Sequence, residues 1–232
     1  MLPSLLAVLP ALLVLLGLGA WQLQRLGWKE ALIAERESRL AAPPASLAEI
    51  ERLDAAQLAH RRVRLQGRFL NERELFFGLR THAGVPGLEL LSPLRLDDGR
   101  TVIVNRGWIP ADRRAKAARP ETRPEGPVEV VGIVRPATAE PGWFTPANEP
   151  AANQWYSYDL AAMAREVGSE LLPFVVEATA APGERALPIG RGAAIEIRND
   201  HLQYAITWFA LAAALATIFV LFHRRRAGPP AG

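Results

Sequence analysis

Two stretches of the sequence set an imidazole, indoles and guanidinium groups at helical spacing. On a helix, Trp21, Gln24/Arg25 and Trp28 share a face by i, i+3/i+4, i+7 spacing. His201, Tyr204/Ala205 and Trp208 share a face in the same way. If the two helices pack antiparallel, both faces lie at the same end of the pair. One neutral imidazole with aromatic walls and guanidinium groups nearby suits haem, which takes an axial nitrogen, flat contacts and cationic partners for its propionates. An aromatic belt at a membrane interface, with Arg25 reaching up to the headgroups, has the same spacing. Residue types and spacing leave both readings open.

A second grouping is Asn105-Arg-Gly-Trp-Ile-Pro110. It follows a short apolar strand and puts an Arg and a Trp where that strand must end. Gly107 permits a tight turn, and Pro110 stops the strand continuing. Two readings are again open. In one, this is a structural corner with Arg106 in a buried hydrogen bond; in the other, Arg106 and Trp108 bind a partner.

Other chemistry has little support. There is no cysteine, which excludes disulfides, thiolate nucleophiles and Cys-ligated metals. Met1 and Met163 are the only methionines, which disfavours a thioether copper site. No G-x-S-x-G elbow, P-loop or H-E-x-x-H is present. His60 and His82 each stand alone near strand ends, and Asp97-Asp98 precedes Gly99 as turn chemistry. Nothing here points to an enzyme.

The elements that must position these groups follow from the charge pattern. Met1–Gln24 and Leu202–Phe222 carry no charged side chain. Each has roughly the 20 apolar residues that a helix needs to cross a hydrocarbon core about 30 Å thick. The expected organisation is a first transmembrane helix over 1–24, an extramembrane domain over 25–200, a second transmembrane helix over 202–222 and a basic tail over 223–232. The net charge of +3 comes from Arg224, Arg225 and Arg226, so it gives no reason to expect nucleic acid. By the positive-inside rule those arginines mark a cytoplasmic side, which makes both termini cytoplasmic and the domain periplasmic. Arg25 and Lys29 after the first span argue the other way for that helix. An uncleaved anchor is favoured over a signal peptide, because no basic n-region precedes a long apolar run.

Within the domain, helical spacing extends the first helix from Trp21 to Leu40, until Pro43-Pro44. Ser46-Leu-Ala-Glu49 forms a capping box. Alternation marks a strand over Val63–Phe69, followed by strands at 74–80, 88–96 and 101–105, with Asp98-Gly99 as a hairpin turn. Ala111–Gly126, rich in Arg and Pro, reads as an exposed loop. Strand 127–135, a helix capped by Asp159 and ended by Gly168, and strands 173–179 and 193–198 complete the set. The fold class is α+β: two transmembrane helices flank a mainly antiparallel, barrel-like β domain with short helices.

The same residues resemble the Surfeit locus protein 1 family of cytochrome c oxidase assembly factors. The resemblance rests on Gly19-Ala-Trp-Gln-Leu-Gln-Arg-Leu-Gly-Trp-Lys29, Asp98-Gly-Arg-Thr-Val-Ile-Val-Asn-Arg-Gly-Trp-Ile-Pro110, Asn153-Gln-Trp-Tyr-Ser-Tyr-Asp-Leu-Ala-Ala-Met-Ala164 and Asn199-Asp-His-Leu-Gln-Tyr-Ala-Ile-Thr-Trp-Phe209. These segments occur in family order and together cover the chain. Gly84–Pro93 matches the family's Gly-rich stretch only loosely, so no role is carried onto it. The resemblance implies a non-enzymatic biogenesis factor in a bacterial plasma (inner) membrane. It would bind haem a and assist its insertion into subunit I of the oxidase, with haem-synthesis enzymes as further partners. His201 would ligate the haem iron; Trp21, Trp28, Tyr204 and Trp208 would wall the site, and Arg25 or Arg198 would pair with a propionate. Arg106 and Trp108 would dock on the nascent oxidase. The alternative is a membrane scaffold that stabilises assembly intermediates without touching haem.

Overall fold

The computed structural model describes residues 2–137, 142–179, 187–190 and 199–226. The chain divides into two compact units, Met1–Glu37 with Glu196–Gly232, and Ser38–Ile195. The strand expected over Ala193–Arg198 lies outside the described residues.

The first unit is built on α1 (Leu2–Ala41) and the C-terminal helix α5 (His201–Arg226). Both are long and apolar enough to cross a membrane. At 1.5 Å per residue, α1 is about 60 Å long, roughly twice a hydrocarbon core. Its charged second half continues helical up to the Pro43-Pro44 stop, as the spacing predicts. Hydroxyls on α5 are satisfied within the helix: Thr207 Oγ1 donates to the Gln203 carbonyl (2.9 Å) and Thr217 Oγ1 to that of Ala213 (2.8 Å).

The second unit opens with two short capped helices, α2 (Leu47–Ile50) and α3 (Ala55–Leu58). The Ser46–Glu49 capping box forms as the sequence predicts. Seven strands follow among the described residues: β1 (Arg62–Phe69), β2 (Leu75–His82), β3 (Val85–Leu96), β4 (Thr101–Pro110), β5 (Val128–Pro136), β6 (Gln154–Trp155) and β7 (Leu171–Ala178). Helix α4 (Leu160–Val167) lies between β6 and β7, with Asp159 at its N-cap and Gly168 left-handed at its C-cap.

The order β1-β5-β7-β4-β3-β2-β6, with β3 also pairing to β1, closes five strands into a ring and leaves β2 and β6 as an extension. All ring pairings are antiparallel except β4 with β7. This is the connectivity of the five-stranded Greek-key barrels of the OB class, a likeness of architecture that specifies no ligand. Val63, Leu65, Leu94, Val102, Val104, Val134, Phe174 and Val176 form the main core. A second core packs Leu91, Ile103 and Val175 against Trp155 and α4 residues Ala162, Met163 and Val167.

The fully buried charged groups among the described residues are paired. Glu89 is buried; Arg80 Nε meets its Oε1 at 3.1 Å and Asn105 Nδ2 donates to its Oε2 at 3.0 Å. Burial raises its carboxyl above the ordinary value despite those partners. The Arg/Pro-rich stretch 111–126 corrects the expectation of an exposed loop. It forms three short 3₁₀ turns, and Arg119 and Thr122 within it are fully buried. Arg119 Nη2 meets Glu74 Oε2 at 2.8 Å, and its Nη1 donates to Thr122 Oγ1 at 3.0 Å.

A buried ion pair that loses one partner leaves an uncompensated charge. Glu74→Ala is therefore expected to lower unfolding free energy by about 3–5 kcal/mol, measured by urea unfolding in detergent. The double variant Glu74→Leu/Arg119→Met should recover most of that loss.

Candidate functional site

The site forms where α1 and α5 meet. Protected positions include Val8, Leu12, Leu15, Gly19 and Gln22 on α1, and His201, Ala205, Trp208, Ala212 and Leu215 on α5. Alternating steps of four and three are the spacing of a helix–helix seam. Small residues permit close approach: a Cβ on Gly19 would lie 2.6 Å from the Phe209 ring. Phe209 against Gly19, and His201 against Gln22, make the two helices antiparallel.

The decisive polar contact is His201 Nδ1 to Gln22 Oε1 at 2.7 Å, with Gln22 buried and His201 half-buried. An amide oxygen only accepts, so with that oxygen toward the ring Nδ1 donates, and a neutral imidazole then keeps its lone pair on Nε2. Metal-ligating histidines are oriented in this way, with the second ring nitrogen donating to an acceptor. Two residues earlier, Asn199 Oδ1 is buried and has no hydrogen-bond partner among the described residues. Helix α5 begins immediately after Asp200, whose carbonyl accepts the Tyr204 N–H at 3.1 Å. The rigid start of the helix therefore fixes where the imidazole stands.

The expected wall residues divide. Trp208 is half-buried on the seam with His201. Trp21, Trp28 and Tyr204 instead have about half their surface free, and Arg25 is exposed with its guanidinium 4.6 Å from the centre of the Trp28 ring. They form a stripe beside the seam, and it is Gln22 that reaches His201. Arg198 lies outside the described residues. Sequence spacing grouped Trp21, Arg25 and Trp28 but missed Gln22. The four–three spacing of Leu12, Leu15, Gly19 and Gln22 was the available signal.

In the barrel, Asn105–Pro110 makes the corner. Leu90 pairs with Gly107 and Leu91 with Asn105, so Arg106 is the extra residue of a β-bulge. Gly107 has φ +113°, and a Cβ there would lie 2.1 Å from the Ile189 carbonyl oxygen. That close approach lets Trp108 and Ile189 exchange backbone hydrogen bonds, both 2.8 Å. The Trp108 side chain is largely buried, and its Nε1 donates to the Arg80 carbonyl at 3.1 Å. Arg106 donates to the Thr122 carbonyl and lies over the Phe69 ring at 4.6 Å. Both residues expected at a docking face thus have internal partners.

The sequence profile of the SURF1 family matches residues 9–213, spanning the first helix, the barrel and the His201 seam. The chain belongs to the SURF1 family. A SURF1-like protein of Monosiga brevicollis is 36% identical over 240 residues, covering 97% of this chain and 89% of the relative. Surfeit locus protein 1 of Xenopus tropicalis is 37% identical over 85% of this chain and 68% of its own length. The Homo sapiens protein of that name is 36% identical over 92% of this chain and 75% of its own. The SURF1 match reaches beyond Phe209, so it includes both partners of the Gln22–His201 contact.

Because the protein has no cysteine, the seam can be tested by cross-linking. Gln22→Cys with His201→Cys is expected to be bridged in membranes by a short bifunctional thiol reagent that spans the space the two side chains now fill, which is beyond a disulfide's reach. Leu23→Cys with His201→Cys, which moves the thiol off the seam, should remain mostly unlinked on a non-reducing gel.

Proposed function

We propose that this SURF1 protein is a non-enzymatic biogenesis factor for a haem–copper terminal oxidase, and that it holds haem a at His201 for insertion into subunit I. Family membership supports the role in oxidase assembly. The observation that carries the haem reading is the 2.7 Å contact of His201 Nδ1 with Gln22, which leaves Nε2 as a ligand of fixed tautomer and orientation. When bound, the haem iron would supply the Lewis-acidic centre that takes this nitrogen.

Each neighbouring residue has a stated part. Gln22 holds the imidazole ring by accepting a hydrogen bond from its Nδ1–H, and Gly19 lets the helices approach so that it can. Trp208 beside His201 supplies flat apolar contact. Tyr204, Trp21 and Trp28 flank the seam, and Arg25 offers a cation for a propionate. Arg198 is a second candidate for that charge. A single histidine ligand suits a carrier, which must bind and then release.

The proposed setting is a bacterial plasma membrane, with both termini cytoplasmic and the barrel periplasmic, where it meets the oxidase and the haem-synthesis enzymes. Arg224–Arg226 at the end of the second span support this orientation.

The test is the visible absorption spectrum of the protein purified from a host making haem a. Wild type should carry roughly one haem and His201→Ala should lose it. Gln22→Leu, which keeps the ligand but frees the ring, should bind about 10–100-fold more weakly. A colourless wild type would remove the haem site and leave the scaffold that stabilises assembly intermediates as the reading of the seam.

A further inference from the structure

Arg106 is a half-buried cation that forms no ion pair among the described residues, and it lines a cleft of about 330 Å³ at one end of the barrel. The cleft is walled by Phe69 at the end of β1, Val130 and Val131 of β5, Ala178 at the end of β7, and the segment Leu187–Gly190. Of the guanidinium's five N–H donors, one is engaged among the described residues, by the Thr122 carbonyl. Among the described residues no carboxylate forms an ion pair with it.

The two acids that line the cleft are already held elsewhere. Glu121 is paired with Arg113 at 2.8 Å, and Glu129 with Arg64 at 2.8 Å. Nearby Arg119 is neutralised by Glu74. Among the described residues, the positive charge left over in this corner is that of Arg106. Burial depresses its pKa to about 10, the mark of a cation short of counter-charge. The chain also goes to some length to aim it: Arg106 is the bulged residue of β4, and Gly107 admits Leu187–Gly190 as the facing wall. Bulges commonly re-aim a side chain beside a binding site.

We propose that this cleft is a binding site for a small amphipathic carboxylate, with the Arg106 guanidinium forking onto the acid and Phe69, Val131, Leu187 and Pro188 enclosing its apolar body. A carboxylate matches the fork geometry of a guanidinium, and the volume suits a ligand of about drug size. The cleft shares no residue with the His201 seam, and a small acid there is a different occupant from the oxidase surface expected at Arg106.

The experiment uses the full chain in lipid nanodiscs and the probe 4-(4-fluorophenyl)butyrate, followed by ¹⁹F line broadening against empty nanodiscs. Saturable broadening is expected, at least tenfold weaker for the corresponding amide and for Arg106→Gln. The acid–amide comparison needs no substitution, so it holds even if the variant folds poorly. Displacement by decanoate would point to membrane fatty acids as the source, and resistance to it to a compact soluble acid; either supports the carboxylate assignment. Equal binding of acid and amide, undiminished binding by a folded Arg106→Gln, or no broadening above empty nanodiscs would overturn it.

Discussion

An imidazole and a primary amide placed along apolar helices have few ways to satisfy their polar atoms. In a medium that offers no water, each must find a partner on its own or a neighbouring helix. Gln22 and His201 find each other, and that pairing fixes the register of α1 against α5. Slipping one helix by a turn would separate them and drive the Phe209 ring off the small surface of Gly19. Packing and register in this unit therefore depend on one hydrogen bond.

A comparable economy operates in the barrel around Asn105-Arg-Gly-Trp108. The Asn105 side chain joins the buried Glu89 and Tyr158. The bulge at Arg106 then shifts the alternation by one residue, so Trp108 falls opposite Glu89 while Arg106 turns to the cleft. Without the extra residue, two-residue alternation would put Arg106 and Trp108 on one face. A left-handed glycine between them is what permits the division.

Much of the architecture was legible because it depends on local rules. Capping residues marked the starts of α2 and α4, Gly168 marked the end of α4, and Asp98-Gly99 forms its turn with φ +87° at Gly99. Alternation found β1 and the long strands. The misses share a cause: each depends on a partner distant in sequence. Arg119 lies in an Arg/Pro-rich run that reads as solvated, and only Glu74, forty-five residues earlier, makes its burial tolerable. The bulge at Arg106 is visible only in register with β3. Helical spacing showed that Trp21, Arg25 and Trp28 share a stripe but could not say which stripe faces α5. Large aromatics attracted attention, whereas the seam is made by Gly19, Gln22, Ala205 and Ala212, whose small or uncharged side chains leave a weaker trace.

The central claim is that His201 acts on haem delivery beyond holding the helices together. The most direct measurement is the haem a content of oxidase subunit I, purified from cells whose only SURF1 protein is this chain or its His201→Ala variant. The amount of SURF1 protein co-purifying with the subunit is determined in parallel. The account predicts that the variant still co-purifies with subunit I, while the subunit accumulates with most of its haem a missing. Full haem a in subunit I alongside the variant would contradict it.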